Sequence, residues 1–147
     1  MLDTNALYDF AEQARADVIR ARLPVNKSAI INQAREGYDY TIGLDYSLRE
    51  DSPEHRTDLG HEVGHASGGF LYDERTPQQV RGRCEFRANK WSITHLVPED
   101  ELREQIRQGR GQTWELAEYF RVTEDHVKMA LCWYFLGSMD VQYYFGS

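Results

Sequence analysis

Two histidines four residues apart, with a glutamate after the first, restrict this chain more than any other feature: His61-Glu62-Val63-Gly64-His65. On a helix the i, i+4 spacing places both imidazoles on one face, one turn apart. Their nitrogens can then share one metal ion. Glu62 lies beside the pair, where it can accept a proton from a water whose pKa the ion lowers towards about 7. That combination is the chemistry of a metal-dependent hydrolase. Random placement of the same residues would produce the pattern in a chain of this composition with a probability of about 1.5%. Leu59, Val63, Ala66 and Phe70 form the opposite stripe of the same helix, so the histidines are expected to face away from the packing side.

A zinc hydrolase usually takes three ligands from the protein and leaves a fourth position for water. The third must therefore come from elsewhere in the chain. Glu85 and Asn89 stand one turn apart on the next helical pattern, away from the Val80, Cys84, Trp91 stripe expected to face the core. Glu85 is the carboxylate candidate, and Asn89 could steady a ligand through a hydrogen bond. Spacing alone leaves a solvated glutamate on a charged helix equally open.

The rest of the chain gives these helices a setting. Leu7, Phe10, Ala11, Ala14 and Val18 recur at helical spacing and predict a first helix over 5–22, closed by Pro24. Ala29 to Ile31, then Tyr38, Tyr40, Ile42 and Leu44 alternating with polar residues and Gly43, predict a β-hairpin with one wet face. Ser52 as a cap and Pro53 at the first position predict the motif helix over 53–67, fraying towards 70. Thr76 with Gln79 reads as a capping box opening a helix of roughly twenty residues that ends at Pro98. A short helix through Leu102 and Ile106, and a last pair near 114–120 and 124–136, complete the order α, ββ, then α only. The expected fold is α+β, one domain over 1–147 with a small sheet beside the motif helix and a mostly helical C-terminal half.

Composition narrows the function. With 147 residues, 41% hydrophobic and 28% charged, the chain matches a globular domain rather than a disordered tail. A formal charge of −7 opposes a phosphate-binding surface, so no direct nucleic-acid contact is expected. Charged residues through the first twenty positions exclude a signal peptide there, no apolar run suits a membrane span, and a cytoplasmic location is expected. Cys84 and Cys132 match no zinc-thiolate pair and are expected to be reduced thiols.

His61-Glu62-x-x-His65, followed by Glu85-Phe86-Arg87-Ala88-Asn89 and by Leu96-Val97-Pro98, resembles the ImmA/IrrE family of metallo-endopeptidases, which carries Glu-x-x-Ala-Asn or Glu-x-x-Ala-Asp after the first motif. The resemblance extends over roughly residues 25–135, through the Tyr40 to Leu44 strand and the Leu116 to Thr123 segment. It implies a zincin-like fold, with His61, His65 and Glu85 as ligands to Zn2+ or another divalent ion such as Mn2+, and Glu62 as general base. It also implies a protein substrate: characterised members cleave a helix-turn-helix repressor of a mobile element or stress regulon. Gly60 departs from the alanine common before the motif, and Gly68-Gly69 from bulkier residues after it.

Other features are weighed against that reading. Thr113 to Leu136 (residues 113–137 with the closing glycine) looks like a helix-turn-helix, which would make a DNA-binding or non-catalytic regulatory protein the alternative. Glu124 and Asp125 open its second helix where a DNA reader would meet phosphates, so an αα-hairpin packed on the body is expected instead. A strand edge of the hairpin containing Tyr38 to Leu44 could receive an extended peptide. Tyr72, His95, Tyr40 or a backbone N–H could stabilise an oxyanion. His55 and His126 are expected to be ordinary surface or satisfied core histidines. Trp133, Tyr134 and Phe135, with Tyr143, Tyr144 and Phe145, are expected to pack as core.

Overall fold

The computed structural model describes residues 1–69 and 71–146; Phe70, expected on the packing stripe of the motif helix, lies outside them. Asp3 caps the first helix, α1 (Thr4–Gln13), by accepting a hydrogen bond from the Ala6 N–H. The chain leaves the helix there and not at residue 22. Arg15 adopts a left-handed conformation (φ 60°), and its carbonyl accepts from the N–H groups of Asp39 and Tyr40. Ala16–Ala21 then forms β1. Val18 fits helical spacing from Ala14, but parallel pairing of β1 with the later strand β3 (Tyr40–Asp45) decides its conformation. The order is thus α, βββ, then α.

β2 (Ser28–Ile31) pairs antiparallel with β3, with Ile30 opposite Ile42, so the expected hairpin is present. The sheet order is β1-β3-β2. β3 is paired on both sides, so the free edge of the hairpin belongs to β2. Lys27 O accepts from Asp45 N, and ladder bonds alternate in an antiparallel pair. Ala29 and Ile31 are therefore the bonded positions, and the main-chain groups of Ser28 and Ile30 turn outward.

The motif helix, α2 (Pro53–Gly68), begins as its local signals predict. Ser52 Oγ accepts from His55 N at 3.1 Å, Pro53 follows, and Gly69 closes the helix at φ 69°. The helix packs against α1, the sheet and α3 (Gln78–Leu96). Both of its faces are therefore covered: Leu59, Val63 and Ala66 are buried, and so are Glu62 and His65. The histidine face does not point away from packing as expected; it packs against α3.

α3 also differs from its expected setting. Thr76 Oγ1 accepts from Asp73 N within the preceding turn, so no capping box forms and the helix starts after Pro77. Its buried residues are Ala88, Ser92, Ile93 and Leu96, while Val80, Cys84 and Trp91 are only partly covered. Glu85, Ala88, Ser92 and Leu96 follow helical spacing, so the expected ligand face is itself the packing face.

Close approach of the two helices explains this. A Cβ on Gly64 would stand 2.6 Å from the Ala88 carbonyl oxygen, and one on Gly60 would stand 2.7 Å from Leu96 Cδ1. Helix propensity alone would favour alanine at Gly64 by about 1 kcal/mol. A backbone carbonyl cannot swing aside, and overpacking of that kind costs about 1–3 kcal/mol. Gly64→Ala is accordingly expected to lower Tm in a thermal melt and to push α3 outward. Gly60→Ala meets a flexible leucine tip and is expected to be the milder change.

The C-terminal half closes the core. α4 (Glu99–Arg107), α5 (Thr113–Phe120) and α6 (Glu124–Leu136) follow, with α7 (Val141–Phe145) beyond the anticipated elements. Leu116, Ala117, Phe120, Val127 and Ala130 belong to the same buried cluster as Leu7, Ile42, Leu59 and Val63. The α5–α6 hairpin is therefore built into the body, and α6 turns His126, Val127, Ala130 and Cys132 inward. His126 lies 3.4 Å from Ser92 Oγ, and burial lowers its pKa to about 4, so it stays neutral. His55 is likewise buried and satisfied: Nδ1 accepts from Asp51 N and Nε2 meets Tyr8 OH at 2.9 Å.

The aromatic tail only partly packs as expected. Tyr134 OH donates to Val97 O and Trp133 contacts Phe86, whereas Phe135, Tyr143, Tyr144 and Phe145 are exposed. Both cysteines are free, Cys132 buried and Cys84 partly so. Among the described residues no helix is long and apolar enough to cross a membrane.

Candidate metal centre

Local helix geometry puts the two imidazoles together, with His65 Nε2 3.2 Å from His61 Nε2. α3 brings the third group. Glu85 Oε2 lies 3.0 Å from His61 Nε2, and Glu85 Oε1 lies 3.1 Å from His65 Nε2. Three residues from two helices thus bring their ligand atoms within 4.8 Å of one another, and this group could hold a metal ion. Ligand atoms about 2.0–2.1 Å from a tetrahedral ion stand about 3.4 Å from one another. The observed spacings of 3.0–3.2 Å come close to that requirement.

Hydrogen bonds orient the same three side chains. His61 Nδ1 lies 2.8 Å from Asn89 Oδ1, an oxygen that can only accept, so Nδ1 carries a proton and Nε2 is the nitrogen left to face Glu85 and an ion. Asn89 therefore orients His61 from one turn beyond Glu85. Burial acts to lower the His61 pKa, but the hydrogen bond to Glu85 and the charges of Glu62 and Glu85 outweigh it and raise the value. Hydrogen bonds from His61 and His65 hold Glu85 well below the usual carboxylate range. The carboxylate is ready for a divalent ion, whereas the raised His61 pKa means that an ion would have to displace the Nε2 proton shared with Glu85.

Glu62 is not one of the converging donors. It points into the same cleft, only 6% exposed, and its Oε2 accepts from Ser28 Oγ at 2.6 Å. Asp58, one turn earlier on α2, shares the cleft wall; burial first, then the charge of Glu62, raises its pKa. The cleft has a volume of about 750 Å³ and runs from the β2 edge, past the histidines, to Leu71 and Tyr72.

Of the side chains considered for an oxyanion, Tyr72 alone lines this cleft. Its hydroxyl donates to Glu85 Oε1 at 2.7 Å, and that bond pushes its pKa up to about 12. His95 is removed, stacked on Trp91 with ring centroids 3.9 Å apart and bonded to Trp91 O. Tyr40 packs against the buried cluster. Ser28 and Gly64 were not singled out from the sequence, because their partners lie on other elements and no local pattern marks them.

A sequence profile described as the IrrE N-terminal-like domain of peptidase family M78 matches residues 11–131. The chain belongs to this family. No curated protein matches it significantly. The M78 match runs from the end of α1 into α6 and so includes every residue of the cleft named above. For an M78 chain, a cluster of two histidines and a glutamate facing an open cleft supports metal-dependent hydrolysis of peptide bonds.

Proposed function

We propose that this protein is a cytoplasmic zinc endopeptidase that cleaves a cognate protein, with a helix-turn-helix repressor as substrate. The convergence of His61 Nε2, His65 Nε2 and Glu85 within 3.0–3.2 Å carries the reading. Family membership supports a protein substrate. The net charge of −7 suits a partner whose DNA-reading face is basic.

Each residue then has a task. His61, His65 and Glu85 hold the ion, and Asn89 fixes the His61 tautomer. A divalent ion there supplies Lewis-acid polarisation of the scissile carbonyl and lowers the pKa of the attacking water. Glu62 takes the water's proton and passes it to the leaving amine. The peptide lies extended along β2, where the outward main-chain groups of Ser28 and Ile30 can pair with it. Tyr72, whose hydroxyl donates to Glu85 Oε1, steadies that carboxylate at the cleft wall.

Metal analysis tests the reading. Purified wild-type protein is expected to hold about one ion per chain by elemental mass spectrometry, with zinc the expected metal. His61→Ala and Glu85→Ala are each expected to lose it. A chain that stays metal-free after reconstitution with zinc or manganese would overturn the proposal.

A further inference from the structure

We propose that Ser28 is a positioning residue for Glu62, fixing its carboxylate from the same strand that receives the peptide. This rests on the endopeptidase reading above. Ser28 opens β2, and its Oγ–H donates to Glu62 Oε2 at 2.6 Å, a length typical of a hydroxyl bonded to an ionised carboxylate. The contact joins the edge strand to the motif helix across 34 residues of sequence.

Two opposed effects act on the Glu62 side chain. The Asp58 carboxylate, one turn earlier on the same helix face, lines the same cleft, and like charges at that spacing repel. Repulsion from that side drives the Glu62 carboxylate away, and a glutamate has three rotatable bonds along which to yield. Lys27, the neighbouring cation on the same chain segment, is exposed and makes no hydrogen bond to Glu62. The Ser28 hydroxyl therefore sets where the carboxylate stands.

The strand geometry gives that bond a further consequence. Side chains alternate across β2, so the Ser28 hydroxyl points to α2 while its own N–H and C=O turn to the free edge. A peptide pairing at that edge steadies the backbone that carries the hydroxyl, and with it the proton acceptor. Docking and base alignment are thereby joined in one residue. A misplacement of about 1 Å at a reacting group can lower a rate by about 100-fold.

The test uses full-length, metal-loaded protein and a peptide chosen from those that the wild type cleaves in a proteome-derived peptide mixture. Ser28→Ala is expected to lower kcat by about 10- to 100-fold with KM within about twofold and metal content unchanged. Ser28→Thr, which keeps the hydroxyl, is expected to restore most of the rate. As a readout independent of turnover, the carboxyl ¹³C signal of Glu62, assigned through Glu62→Gln, is expected to move in Ser28→Ala and to stay near its wild-type position in Ser28→Thr. A loss confined to KM, an unchanged kcat in Ser28→Ala, or equal losses in both variants would overturn the positioning role and leave the endopeptidase reading standing. Failure of the metal-loaded wild type to cleave any peptide would overturn both, even where the carboxyl signal still responds to Ser28.

Discussion

Glu62→Gln is expected to abolish peptide cleavage while leaving the metal in place. The amide has nearly the shape of the carboxylate, and its oxygen can still accept from Ser28, so the cleft keeps its form. What it loses is the ability to take a proton. General-base catalysis contributes about 10²–10⁴ in rate, and the whole of that factor is expected to fall on kcat, with KM changed little. Metal content should match wild type, because the converging donors come from His61, His65 and Glu85. Stability gives a second, opposite signature. Glu62 is 6% exposed and contributes to raising the pKa of Asp58. Removing its charge relieves both burial and repulsion, so the inactive variant is expected to melt no lower than wild type. Full activity in Glu62→Gln would remove Glu62 from the mechanism. Loss of metal along with activity would instead make it part of the metal centre.

Where the sequence is legible, the signals are local. The span of α2 follows from Ser52, Pro53 and Gly69, and the pairing of the two imidazoles from the four-residue step between them. The β2–β3 pairing was legible for a similar reason, since alternation marks each strand and the connection between them is short. β1 was not, because Val18 satisfies the helical period from Ala14 and its strand partner lies beyond β2 in sequence. The same limit governs the centre. Spacing left Glu85 undecided, and only the resemblance to a family singled it out as a ligand. Its actual position depends on how closely α3 approaches α2, which Gly64 and Ala88 determine by having no bulk between them. The apolar period of α3 points to the wrong face as core, because polar residues are ordinarily solvated. Here Glu85 and Ser92 face inward with partners, at His61 and His65 in one case and near His126 in the other. A polar residue on a packing face is a recurring mark of a site, and it inverts the usual inference from amphipathicity.

The largest loss of stability is expected far from the metal, at Arg56. This side chain is fully buried, and its guanidinium serves four acceptors. Nε donates to Arg121 O at 2.9 Å, Nη1 to Thr4 Oγ1 at 3.1 Å, and Nη2 to Leu2 O at 2.6 Å and Phe120 O at 3.3 Å. Thr4 in turn donates to Asp51, whose other oxygen pairs with Arg121. One residue on the first half of α2 therefore ties the N-terminal segment and the α5–α6 turn to the motif helix. Arg56→Met preserves much of the apolar volume but leaves three carbonyls without their donor. Breaking a buried charged network from one side costs about 3–5 kcal/mol, a fall in Tm of roughly 10 °C or more for a domain of this size. Arg56→Lys is expected to recover little, since an ammonium cannot present the planar fork that reaches all four acceptors. Arg121→Ala removes only the exposed end of the network and is expected to cost under about 1 kcal/mol. Thermal melts of the three variants would separate the buried clamp from the surface pair. Arg56→Met melting with wild type would show that the carbonyls find other donors and that α2 is held in place by apolar packing alone.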